Sequence, residues 1–197
     1  MGRQQRYDRT ETVEKAMNLF WKNGFSGTSM RDLETCLDMR PGSIYANFGN
    51  KELLYLETME LYASKTFNEF QYHMRNSETF MAGLNQFIKQ ILFNDDGPCA
   101  CMLAKTLADI NPDHEALREK ADHMIVNFEN ILVTALNHAR VADEISENCD
   151  VRALARFIQV QIIGLRSYAE MQPPPAVTQQ LRHDILTAIK ARANGIQ

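Results

Sequence analysis

The chain has no run long and apolar enough to span a membrane, and no apolar core follows the basic residues of its N-terminal MGRQQRYDR. A cytoplasmic protein without a membrane partner is therefore expected. Cysteine is scarce, and Cys36, Cys99, Cys101 and Cys149 include no CxxC pair, which argues against a disulfide framework or a structural zinc site. His114, His123 and His138 are spaced as helix-surface residues, so no metal is indicated. Paired catalytic carboxylates, a Ser/His/Asp set and a glycine-rich phosphate loop are all missing. Asp95-Asp96-Gly97-Pro98 reads as a turn, no cofactor is called for, and an enzyme is not expected. Hairpin turns, strand-like alternation, repeats and low-complexity tracts are absent as well, which leaves an all-α chain.

What is present is an ordinary globular composition with an uneven charge. The 197 residues are 45% apolar and 23% charged, enough for a substantial core. The net charge of -4 seems unfavourable for binding nucleic acid, but residues 1 to 52 carry eight Lys/Arg against seven Asp/Glu. The acidic excess lies after that point. Arg3, Arg6, Arg31, Arg40 and Lys51 are the cations best placed to reach phosphates.

Helical periodicity runs through almost the whole chain. Val13, Ala16, Met17 and Phe20 form one stripe between Thr10 and Gly24. From Asn50 a long helix is predicted to about Arg75, and Ser77 or Thr79 can cap the next, whose stripe is Phe80, Leu84, Phe87, Ile88 and Ile91. A short helix follows from Cys99 to Ile110, and Asn111-Pro112 is expected to open a long one to about Ala139. After a polar link, Asp150 caps a further helix that ends before Pro173-Pro174-Pro175, and a last helix carries Leu181, Ile185, Ala188 and Ile189. The count is nine helices.

The informative stretch is Thr28 to Leu54, which has the pattern of a helix-turn-helix. Thr28 is expected to cap a short helix bearing Met30, Leu33 and Leu37. Pro41 disfavours helical geometry at Arg40 and suits the first position of a second helix. Gly49 can end that helix, and Asn50 caps the next. Ile44 and Phe48 are four residues apart and face inward, which leaves Gly42, Ser43, Tyr45 and Asn47 outside. A small, polar and aromatic outer face suits a DNA groove and has little use in a core.

Gly24-Phe25, Thr28, Leu33, Asp38-Met39, Gly42, Ile44-Tyr45, Phe48, Lys51 and Leu54 together resemble the signature of the TetR family of bacterial transcriptional regulators. The resemblance covers about the first quarter of the chain. It departs at Glu34, Leu37, Asp38 and Arg40, where alanine, alanine, glycine and serine are commoner. It implies a DNA-binding domain over residues 1–50 and a helical effector-binding and dimerisation domain over residues 51–197. It also implies a homodimeric, ligand-responsive repressor on a palindromic double-stranded DNA operator. Thr28, Tyr45, Asn47 and Lys51 would hold phosphates, while Arg40, Gly42 and Ser43 approach base edges and Arg31 adds a nearby cation. The last two apolar helices would form the dimer interface, with Ala155 and Gly164 permitting close approach.

A small-molecule effector, partly apolar, would bind among the middle helices, between Asn50 and Arg140. Tyr62, Phe67, Phe70, Phe87, Met124, Phe128 and Tyr168 are candidates to line its pocket, and each is as readily core. Cys101-Met102-Leu103-Ala104-Lys105-Thr106 resembles the Cys-Leu-Leu segment of a subgroup that includes N-ethylmaleimide-responsive repressors. Cys99 and Cys101 are thus either small packed residues, as free cysteine usually is, or reactive thiols favoured by a helix N-terminus and by Lys105. A helical enzyme or a protein-binding adaptor is the different-class alternative; no catalytic motif supports the first, and the second leaves the polar outer face unexplained.

Overall fold

The computed structural model describes residues 8–93 and 100–195. Among them are nine α-helices and no strand: α1 Arg9–Asn23, α2 Met30–Leu37, α3 Pro41–Phe48, α4 Lys51–Arg75, α5 Phe80–Phe93, α6 Met102–Asp109, α7 Glu115–Val141, α8 Val151–Ala169 and α9 Pro175–Ala193. None of these helices is long and apolar enough to cross a membrane.

Local chemistry sets most of the boundaries. Asp8 caps α1, its carboxylate accepting from the amides of Thr10 and Glu11 at 2.9 and 3.2 Å. Asp38 ends α2 in the left-handed conformation, with φ 51° and ψ 43°. Pro41 is the first residue of α3. Gly49, at φ 79°, ends that helix, and Asn50 Oδ1 accepts from the Leu53 amide at 2.8 Å to begin α4. Asp150 does the same for α8 through the Ala153 amide at 3.0 Å.

Four boundaries differ from the sequence expectation. The cap of α2 is Ser29, not Thr28: Ser29 and Asp32 exchange side-chain and backbone hydrogen bonds in a capping box. The short helix α6 starts at Met102, with Cys101 as its cap residue and not within its first turn. Pro112 lies in a turn that closes on Asn111 and His114, so α7 starts only at Glu115. The link between α7 and α8 is not a polar surface loop, because Ile145 and Cys149 are buried and Glu144 accepts from the Phe80 amide at 2.6 Å.

Helix α4 is the common wall, packing against α1, α5, α6 and α7. Two apolar cores form along it. The first joins Phe20, Phe25, Leu33, Ile44 and Phe48 to Leu54, Tyr55 and Met59 of α4, and continues into Met102, Leu103, Leu117 and Ala121. The second gathers Phe70, Phe87, Phe128 and Leu132 with Leu154, Ile158 and Ile162 of α8 and Ile189 of α9. The first core therefore does not stop at residue 50.

Gly83 allows α5 to lie close against the end of α4. A Cβ there would stand 2.6 Å from Met74 Cε and 3.0 Å from the His73 carbonyl oxygen. The methionine can swing aside and the backbone cannot, so Gly83→Ala should lower stability by about 1–3 kcal/mol, as overpacking does. An unchanged urea midpoint would show that α4 and α5 separate freely there.

Candidate nucleic-acid interface and effector cavity

The outer face of α3 is as the sequence pattern requires. Ile44 and Phe48 are buried, and Gly42, Ser43, Tyr45 and Asn47 are exposed, Tyr45 at 48%. A Cβ added at Gly42 would meet nothing within 4 Å, so the face is open at that point. Asn47 turns its amide back onto its own helix, donating to the Ser43 carbonyl at 2.7 Å. Arg40 stands exposed at the start of α3, and with Lys15, Asp38, Ser43 and Asn47 it lines a groove between α1 and the turn. Arg31 is exposed on α2.

Thr28 does not belong to this face. Its side chain is fully buried and its hydroxyl donates to the Gly24 carbonyl at 2.7 Å. It shapes the turn between α1 and α2 and cannot reach a phosphate from there. Arg3 and Arg6 lie outside the described residues.

Lys51 is the first residue of α4, where a cation opposes the helix dipole. Its Nζ lies 4.3 Å from the centre of the Phe25 ring, and partial burial lowers its pKa below the ordinary lysine value. Arg9 was not anticipated. It donates to the Asn47 carbonyl at 3.0 Å, pairs with Glu57 at 2.5 Å and lies over the Phe48 ring at 4.7 Å, tying the end of α3 to α1 and α4.

A second site lies in the other half. A partly open cavity of about 40 Å³ is bounded by α4, α5, α7 and α8 together with Cys101 and Leu103. Of the expected lining residues it brings together Tyr62, Phe67, Phe87 and Phe128. Three others fall elsewhere. Phe70 is buried behind the wall, edge-on to Phe128 at 5.5 Å; Met124 packs in the first core; Tyr168 is exposed on α8. Sequence reasoning missed Gln159 and Arg166, which line the cavity from one face of α8. A signal was there, since both interrupt the apolar stripe of Ile158, Ile162 and Leu165.

The buried polar groups of this cavity form one set. Arg166 Nη1 donates to the Tyr62 hydroxyl at 2.8 Å, and Cys101 lines the cavity beside them. Burial pushes the Tyr62 pKa well above the ordinary tyrosine value, and the adjacent Cys101 adds to the rise, so the hydroxyl keeps its proton. Cys99 lies outside the described residues. No group of three or more metal-ligating side chains gathers among the described residues.

Helix α6 connects the two sites. Its Cys101 and Leu103 end lines the cavity. Lys105 reaches the other way, donating to the carbonyls of Trp21 and Lys22 at 3.2 and 3.0 Å, so its ammonium caps the end of α1 rather than attending Cys101. Trp21 Nε1 donates to the Ala100 carbonyl at 2.6 Å, and Tyr55 shares a buried 2.7 Å hydrogen bond with Thr106. Beyond α6, His114 Nδ1 lies 3.1 Å from Glu52 and its ring meets Phe25 edge-on at 4.7 Å.

Comparison with known proteins places both halves. Residues 13–58 match the family model described as "Bacterial regulatory proteins, tetR family", and residues 82–185 match "Tetracyclin repressor-like, C-terminal domain". The HTH-type transcriptional repressor ComR of Escherichia coli is 27% identical over 168 residues, covering 83% of this chain and 80% of that protein. Among solved structures, a cysteine mutant of the TetR family regulator CifR, complexed with 26-bp double-strand operator DNA, superposes with a TM-score of 0.85 at 22% identity, covering 96% of this chain and 99% of that one. The reduced form of E. coli NemR superposes with a TM-score of 0.76 at 17% identity, covering 92% and 95%. These two likenesses concern the fold.

Substitutions on the outer face separate its contacts. Gly42→Ala adds a methyl group into open space, so it should leave the melting temperature unchanged or slightly raised while weakening DNA binding. Lys51→Ala should weaken binding to all sequences and reduce the salt slope by about one, as for one lost phosphate contact. Arg40→Ala should instead change base preference. Equal losses on specific and random DNA would reassign Arg40 to the backbone, and undiminished binding by Gly42→Ala would remove α3 from the groove.

Proposed function

The chain belongs to the TetR family of bacterial regulatory proteins, DNA-binding regulators of transcription, and from that membership we infer that it represses as a homodimer on a palindromic operator and is released by a small effector. The observation that carries the DNA-binding part is the exposed polar face of α3, which the folded chain leaves without a structural task. Ser43, Tyr45 and Asn47 read or anchor the operator, with Arg31, Arg40 and Lys51 as cations beside them. ComR, a repressor by name, and CifR, solved on operator DNA, support the reading.

A single eight-residue recognition helix touches few base pairs, which calls for two copies. The dimer face is α8 with α9. Val160 is 63% exposed and Met171 65%, Tyr168 and Val177 are exposed apolar groups, and a Cβ at Gly164 would meet nothing within 4 Å. Ala155 is not part of that face, because it is fully buried in the second core. The effector enters the cavity between α4 and α8 and acts on α1 through α6. Moving the population from 1:99 to 99:1 requires about a 10⁴-fold preference for the released form.

A second mode of release is favoured by one observation, the placement of Cys101 in that cavity beside the Tyr62 hydroxyl and Arg166. A thiol in that position would meet electrophiles and oxidants that enter the cavity.

Operator DNA selected from a random duplex pool should be palindromic and should bind two chains. Val160→Glu should yield monomers in sedimentation and reduce operator affinity at least tenfold; a wild-type monomer at micromolar concentration with full operator binding would end the dimer reading. For the thiol, brief exposure to a limiting electrophile at neutral pH should modify Cys101 or Cys99 before Cys36 and Cys149. Burial raises the pKa of both Cys36 and Cys149 above the ordinary thiol value, which holds their thiolate fractions down at neutral pH. Loss of operator binding should follow modification and be prevented by Cys101→Ser. Unchanged inactivation in that variant would leave Cys101 as a packing residue.

A further inference from the structure

The turn after α1, the start of α4 and the start of α7 meet at one aromatic ring. Phe25, in that turn, is buried, with the Phe20 ring at 6.4 Å and Tyr55 edge-on at 5.1 Å. Two further neighbours are polar. Lys51 Nζ stands 4.3 Å from the ring centre, and the His114 imidazole meets the ring edge-on at 4.7 Å. His114 Nδ1 in turn lies 3.1 Å from the carboxylate of Glu52, the residue next to Lys51. A carboxylate oxygen only accepts, so Nδ1 is the donor. The contacts close a loop, from Lys51 through Phe25, His114 and Glu52 back to Lys51.

The two polar members of this loop are held differently. His114 is the cap residue of α7, yet its side chain makes no capping hydrogen bond, so the imidazole has no task within its own helix. Its backbone is fixed independently of Lys51: the His114 amide donates to the Asn111 carbonyl at 3.0 Å, and Ile110 and Leu117 on either side are buried in the first core. Lys51, by contrast, makes no hydrogen bond or ion pair through its ammonium among the described residues, and the Phe25 ring is what places it. A lysine on its flexible stem loses rotamer freedom when it grips a phosphate, and one already held against a ring has less to lose. The bond from His114 also gives the Glu52 carboxylate a partner other than Lys51.

We propose that His114 is a positioning residue for DNA binding: from the start of α7 it fixes the Phe25 ring and the Glu52 carboxylate, and through them holds the Lys51 ammonium ready for an operator phosphate. The second half of the chain thereby supplies part of the phosphate grip, although His114 itself touches no DNA. The same helix carries Ile125 and Phe128 to the cavity wall, so α7 spans from the cavity to the base of Lys51. This assignment rests on the reading of Lys51 as a phosphate contact and adds the residue that orients it.

The test is a double-mutant cycle on the full chain, with affinity measured for selected operator DNA and for a random duplex. His114→Ala should weaken both by about threefold to tenfold, alike because a phosphate contact carries no sequence information. In the Lys51→Ala background the same substitution should cost nothing further, since the group it positions is gone. His114→Asn places an amide N–H where Nδ1 stood and should recover most of the loss. Circular dichroism establishes that each variant is folded; if His114→Ala is not, His114→Ser, a favoured cap residue that makes neither contact, takes its place in the cycle. Undiminished binding by the folded variant, a loss confined to the operator, a loss as large in the Lys51→Ala background, or no recovery in His114→Asn would each overturn the proposal. The first of these outcomes together with a weakened Lys51→Ala would leave the phosphate reading of Lys51 intact. Undiminished binding by Lys51→Ala would end that reading and the positioning role with it.

Discussion

An isolated helix of eight residues is unstable in water, and α2 and α3, the two helices of the helix-turn-helix, are that short. Each buries only two large apolar side chains of its own, Leu33 and Leu37 in α2 and Ile44 and Phe48 in α3. Their shape is therefore imposed from outside. Phe20 of α1 and Leu54 and Tyr55 of α4 supply the surface on which they lie, and Phe20, Phe25 and Tyr55 interlock with ring centroids 4.8 to 6.4 Å apart. Because all the cohesion comes from the inner side, the outer side of α3 is free to be chosen for its chemistry.

The same constraint explains why the second half of the chain has a grip on the first. The surface holding α2 and α3 includes residues that also touch α6, which joins the cavity to the reading head through packed side chains and hydrogen bonds. Two routes leave α6: Lys105 onto the carbonyl end of α1, and Thr106 onto Tyr55 beneath α2 and α3. A reversible ligand and a modified Cys101 would act on the same piece of structure, since both alter what the cavity end of α6 packs against.

What was legible in the sequence was local. Pro41, Gly49, Asn50 and Asp150 set helix ends through contacts within three residues, and their roles could be read directly. The error at Thr28 came from two adjacent hydroxyl residues, and only Asp32, three residues after Ser29, distinguishes the true cap. Exposed and buried positions of α3 followed from Ile44 and Phe48. The cavity was half legible: aromatic residues at helical spacing mark an interior, but whether Phe70 or Phe67 lines the open space depends on partners sixty residues away. Lys105 and Arg9 were beyond reach for the same reason. A cation's sequence neighbours do not reveal that its ammonium or guanidinium will cap the end of a distant helix.

The first core runs without interruption from Phe20 and Ile44 through Tyr55 to Met102, Leu103 and Leu117. This has a consequence for any attempt to treat the molecule as two exchangeable modules. A cut at residue 50 would strip α1, α2 and α3 of the walls they rest on, and a reading head transplanted from another regulator would bring side chains fitted to a foreign α6. Chimeras made at that seam would join two half-cores of mismatched shape. A transplantable unit would have to include α4 and the residues of α6 and α7 that complete the core, which means that operator choice and sensitivity to release are inherited together.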